Sequence, residues 1–315
     1  VTGASRTEAE AAAVAVAEAL STVPHQYTPE LGKSLHQHFS PGDAEWIVMS
    51  VAMMGFLNKF MDAIGVELEP EAVNDVAELI QPTGWSVGQH GWAGVDDSSG
   101  AATETNAETN TSGDGGDGAP PTDSMGTMLR VFRNAPSAMK LEKRWMADLP
   151  KGSEDLRRHI ADSYHFDEPL LAVMNHRRVI RALGAMLRQN LDSHLSELGI
   201  GSKALAGLVF ARHVGNQHLI DRSRQLAEHC GLSAEIIGAA ETYQPGDGPS
   251  PLDDKTAAAV AMAYDISPSP AAVSDKVLEL ADSALSPAET VEIAVWVSVC
   301  QLIHRLTVFF ELDDA

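Results

Sequence analysis

The chain has 315 residues, 44% hydrophobic and only 5% aromatic, with a formal net charge of -22. That length can bury one large core or two modest ones. The charge excludes a nucleic-acid surface, which needs clustered Lys and Arg, and two distant cysteines, Cys230 and Cys300, exclude a disulfide scaffold or a zinc ribbon.

Abundant Ala, Leu, Met and Glu and few alternating β-branched or aromatic runs predict an all-α protein. Residues 7–20 read as an Ala-rich helix, and Thr28-Pro29-Glu30 opens a second with Pro at its first position. Ser40 caps a third, with Pro41 at the first helical position, Asp43 at the third and Gly65 as the stop. "GWSVGQHGW" (84–92) surrounds His90 with Trp and Gly, which fits a loop folded onto a neighbour or an aromatic ligand site. Residues 96–124 hold seven acidic residues, no basic ones and almost nothing apolar, so burial cannot offset their ordering entropy and disorder is expected. This divides the chain into a first helical unit at 1–95, an acidic insert at 96–125 and a fuller unit at 126–315. Helices are then expected at 126–147, 153–162, 168–191, 202–230, 233–240, 253–264, 270–283 and 287–310, with Gly231 as the left-handed cap of the 202–230 helix.

The N-terminal stretch has no basic segment ahead of an apolar run, and no segment approaches the roughly 20 charge-free apolar residues of a membrane span. The expectation is a cytoplasmic protein with no membrane and no nucleic-acid partner. The acidic surface fits a salt-adapted host or an ordinary acidic protein equally well. No phosphate loop, nucleophile elbow, dinucleotide fingerprint or spaced His/Cys metal signature is present, so neither a metal nor a cofactor is expected.

The chain also repeats itself. "SPGDAEWIVMSVAMMGFLNKFM" (40–61) aligns with "SPAETVEIAVWVSVCQLIHRLT" (286–307). Asp43 matches Glu289, Ile47 matches Ile293, Val51 matches Val297, and Asn58-Lys59 matches His304-Arg305. Pro29 of the preceding helix is set against Pro270. One helical unit is used twice, and the first copy is incomplete.

With "CGLSAEIIGA" (230–239) and the two helices that follow it, the repeated unit resembles the alkylhydroperoxidase D-like / carboxymuconolactone decarboxylase family. The resemblance implies internally duplicated helical units, oligomers built through these helices, and a Cys-x-x-Cys-x-x-x-His centre. Those two cysteines fall on Gly215 and His218, the histidine on Arg222 and the relay glutamate on Lys203. A dithiol cycle needs two sulfurs within bonding reach, and neither position supplies one.

His218 and Arg222 lie four apart on a helix and share a face. A neutral His serves as acid or base near pH 7, and Arg grips a carboxylate. With His213, Asn216, Gln217, His304 and Arg305 they would suit a small carboxylate substrate. The competing reading pairs Arg222 with Asp221 or Glu228, places His218 in a partly polar core and gives His304-Arg305 a helix-capping role. Cys230, beside His229, reads as structural or as a displaced thiol, and Cys300 as buried. Arg177, Arg178 and Arg181 either pair with acidic neighbours or line an anion site. Three functions follow: an enzyme acting on a small carboxylate, a peroxidase-related oxidoreductase with a displaced thiol, or a non-catalytic oligomeric binding protein. A homo-oligomer is expected.

Overall fold

The computed structural model of the protein describes residues 6–66, 125–246 and 251–313. The expected insert and the 84–92 stretch with His90 lie outside them. The described residues form thirteen helices and no strand, so the protein is all-α. These are α1 (Glu8–Ser21), α2 (Pro29–His38), α3 (Pro41–Ala63), α4 (Met125–Trp145), α5 (Ser153–Tyr164), α6 (Leu170–Val173), α7 (Arg177–Leu191), α8 (Ile200–Val214), α9 (Gln217–His229), α10 (Ala234–Glu241), α11 (Asp254–Ile266), α12 (Asp275–Ala284) and α13 (Pro287–Phe309). They fall into two compact units, one of residues 1–67 with 149–315 and one of residues 68–148. The first thus joins both ends of the chain. Of the second, α4 is described, with Pro136 inside it and Met139 and Trp145 exposed.

At the centre of the first unit, α13 packs along α3 on one side and α8 on another. The core is aliphatic, with Trp296 and Phe210 as large closed aromatics. By length and apolarity α13 could cross a membrane, but 83% of its apolar window is buried inside the protein.

The two ends of this unit share their geometry. α3 and α13 both run 23 residues, lie 246 positions apart, begin with Pro, and have a Ser N-cap (Ser40, Ser286) that accepts the N–H of Asp43 or Glu289. The same spacing relates α2 to α12, both of 10 residues, and the starts of α1 and α11. It relates the left-handed residues Gly65 and Glu311 that follow the long helices. It also corrects one expected match: Pro24, not Pro29, stands opposite Pro270, and both follow cis bonds.

Three expected helices differ from the structure. The 202–230 helix is two helices, because Gly215 takes a left-handed conformation (φ 71°) and Asn216 caps a new start by accepting the N–H of Leu219. Gly231 is left-handed, as expected, two residues past the end of α9. The 168–191 helix breaks at Asn175-His176, whose backbone N–H groups donate to the buried carboxylate of Glu45 (2.6 and 3.0 Å) and not to helical carbonyls. The 270–283 helix starts at Asp275, because Asp265 takes the N–H and hydroxyl of Ser274.

Candidate functional site

The start of α9 carries a buried polar network. Asn216 accepts at its N-cap through Oδ1 and donates from Nδ2 to Thr307 Oγ1 (2.9 Å) and His304 Nδ1 (3.0 Å) on α13. The backbone N–H of His218 donates to the carbonyl of Asp313, just past α13 (3.0 Å). The first turn of α9 is therefore fixed to the last third of α13.

His218 is closed to solvent, and its Nε2 lies 3.2 Å from Oε2 of Glu168, which is 0% exposed. Glu168 sits in the turn ahead of α6, where its other oxygen accepts the N–H of Leu170 (3.0 Å). A buried carboxylate requires such donors, because desolvation penalises the charge. Ser223 Oγ is buried nearby on α9 without a partner. A Cβ at Gly207 of α8 would meet Ser223 Oγ, Trp296 Nε1 and Cys300 Sγ, so these groups surround one spot. Burial pushes the Cys300 thiol up, and the Glu168 carboxylate adds to the effect.

Of the expected site residues, the structure brings Asn216, His218 and His304 together. His304 is 3% exposed. Burial first, then His25 and Arg305, push its pKa down to about 3. The ring is thus neutral, and with Nδ1 accepting from Asn216 its proton sits on Nε2, which is buried without a partner. Arg222 stands apart, half-buried, with Nη1 donating to Gln225 (3.0 Å) and neither Asp221 nor Glu228 as its partner. Its Nε is shielded and unpaired. Arg157, and more weakly Arg222 and His218, hold the Asp167 carboxyl below its usual range. His213 and Gln217 are at the surface, the latter donating to Asp221.

Arg305 does not cap its own helix. It is buried and reaches across to the Val51 carbonyl on α3 (2.9 Å). Its counterpart Lys59 donates to three carbonyls at the end of α11: Ile266 (2.7 Å), Ser267 (3.1 Å) and Pro268 (2.7 Å). Burial, then Arg305, lower its pKa to about 7. Lys203, at the relay position of the resemblance, is buried and pairs with Glu292 (2.8 Å) and the Asn190 carbonyl (3.0 Å). Cys230 is exposed and Cys300 buried, both as free thiols. Among the described residues no group of His, Cys, Asp and Glu is placed to hold a metal.

Two important residues escaped sequence reasoning, Glu168 and Glu45. Each lies far in sequence from what it holds, and neither belongs to a periodic pattern. The "DEP" turn at 167–169 is the one local signal. Comparison with protein-family models, with curated proteins and with solved structures gives no match.

Proposed function

We propose that this chain is a carboxymuconolactone decarboxylase/alkylhydroperoxidase-like protein, built from one helical unit used twice, that acts on a small carboxylate without a dithiol. The observation that carries this reading is the closed Glu168–His218 pair in the first turn of α9. His218 serves as the acid–base group, and Glu168 orients its ring and compensates its charge when it takes a proton. Arg222, one turn further along α9, anchors the substrate carboxylate through a guanidinium whose Nε has no protein partner.

The test is turnover of a panel of small keto acids and lactone carboxylates, followed by NMR, on wild type, His218→Gln and Arg222→Ala. The reading expects His218→Gln to abolish turnover with folding intact, and Arg222→Ala to raise KM more than it lowers kcat. Equal turnover in all three proteins would refute it. A displaced-thiol peroxidase has less support, since partial desolvation pushes the Cys230 thiol up and full burial does the same at Cys300, and the reactive species is the thiolate. A non-catalytic oligomeric binding role is favoured by one separate observation, the exposed apolar face of α3.

A further inference from the structure

Where α13 ends, the chain and the segment that joins α1 to α2 wall a recess of about 270 Å³. His25, Tyr27 and Pro29 line it from one segment, and Val308, Glu311 and Asp313 from the other. None of these is Lys or Arg, so two carboxylates set its charge. His25 Nε2 lies 3.6 Å from Asp313 Oδ2. Tyr27 keeps its hydroxyl proton, because burial first and then the Glu311 charge push its pKa up to about 12. Its ring packs edge-on against Phe309, with centroids 6.0 Å apart.

Two features of this recess are unlike a packed wall. The first is Glu311, which is left-handed (φ 54°). In the matched turn after α3, 246 positions earlier, Gly65 holds that conformation. Glycine takes it without strain and glutamate does not, yet Glu311 is kept where it lines the recess. The facing residues are also peculiar to this end of the chain, since His25 stands opposite Ala271 and Tyr27 opposite Val273. The second feature is a pair of unsatisfied ring nitrogens. His304 is 3% exposed, and with Nδ1 taken by Asn216 its Nε2–H points away from α9 and has no partner. Nδ1 of His25 has none either, and the two rings lie 5.6 Å apart. Val308, one turn beyond His304, lines the recess, so these nitrogens stand at its inner wall. Buried polar groups without partners are rare in a packed core.

We propose that this recess binds a small organic ammonium ion. Its positive charge and N–H donors match two carboxylates that share one wall and otherwise repel each other. Tyr27 supplies a neutral aromatic ring at the other wall, which attracts a cation further, and Pro29 and Val308 give the carbon body apolar contact. The volume admits a molecule of roughly nine non-hydrogen atoms, which is too small for a nucleotide or a folded peptide. A metal ion is a poorer match, because among the described residues no group of His, Cys, Asp and Glu is placed to hold one. Asp313 also accepts the His218 N–H through its carbonyl, so the recess adjoins the start of α9. The binding stands apart from the acid–base reading and does not need it.

The test is isothermal titration calorimetry of the full chain with choline, ethanolamine, tetramethylammonium and putrescine at fixed ionic strength. Saturable one-to-one binding of at least one of them is expected at sub-millimolar concentration, weakening as sodium chloride is raised. Glu311→Gln is expected to weaken it about tenfold or more. Glu311→Gly removes the same carboxylate while giving the turn the residue of its counterpart, so it is expected to fold and melt as wild type does and to lose the same affinity. No saturable binding of any of the four up to millimolar concentration would overturn the proposal. So would Glu311 variants that bind as wild type does, or calcium or zinc ions that bind as tightly as the amines and are lost in the same variants.

Discussion

Gly55→Ala tests the packing of α3 on α13 at its tightest point. In an ordinary helix interior this change stabilises by about 1 kcal/mol, because Ala has the better propensity. Here a Cβ would overlap the Arg305 guanidinium and lie 3.0 Å from its Nη2. The guanidinium is the far end of a flexible side chain, but it is buried and bonded to the Val51 carbonyl. Moving it loses a charge-assisted hydrogen bond, about 1.5–3 kcal/mol, and crowds a packed seam, about 1–3 kcal/mol. Set against the propensity gain, the net cost is about 1.5–5 kcal/mol, or roughly 3–20 °C in Tm for a unit of this size. Urea and thermal melts by circular dichroism measure it. The second arm is the same substitution in an Arg305→Met background, where the clash with the guanidinium is gone and the cost should fall below about 1 kcal/mol. A Gly55→Ala protein as stable as wild type, or an equal cost in both backgrounds, would refute the close approach of Arg305.

Two further predictions follow from buried charge. His218→Ala leaves the Glu168 carboxylate buried with the Leu170 N–H as its remaining donor, and should cost about 3–5 kcal/mol. His218→Ala with Glu168→Gln should cost less than the sum of the single changes, and strict additivity in urea melts would contradict the pairing. Lys59 has a folded pKa of about 7, below the ordinary lysine value of 10.5. Between those values the unfolded chain binds more protons, so stability should rise with pH from about 7 to 10.5. The slope is bounded by one proton, about 1.4 kcal/mol per pH unit. Comparing Lys59→Met with wild type isolates this contribution. The variant should have the flatter profile, and matching slopes would mean that the three carbonyls keep Lys59 fully charged throughout.

The all-α class and most helix starts were legible because their signals are local. Ser40-Pro41-x-Asp43 and Ser286-Pro287-x-Glu289 each place a cap, a first-turn Pro and an acid within four residues, and both form as expected. The breaks were less legible for two different reasons. The one at Gly215-Asn216 has a local signal, a left-handed Gly before a capping Asn, but it lies inside a run whose hydrophobic pattern carries through. The break at Asn175-His176 has no local signal, since its cause is Glu45, 130 positions away. The site divides in the same way. His218 was found from its place in the unit, whereas Glu168 is 50 positions distant and its role exists only once the chain is folded. Arg305 read as a substrate-site or helix-capping cation because charge alone does not reveal that its head crosses to another helix.

The buried Glu168–His218 pair and the exposed face of α3 both follow from the difference between what packs on α13 and what packs on α3. α13 supplies Thr307 and His304 to Asn216, and the residue past its end supplies the carbonyl that holds His218. α3 has the same length and start, and the matched positions are Met61 and Asn58, both exposed. No described helix lies against them as α8 and α9 lie against α13. The covering hairpin therefore does two things at once: it closes an apolar face and brings in the imidazole. At α13 the hairpin gives a buried pair; among the described residues no helix brings an imidazole to the matched positions of α3.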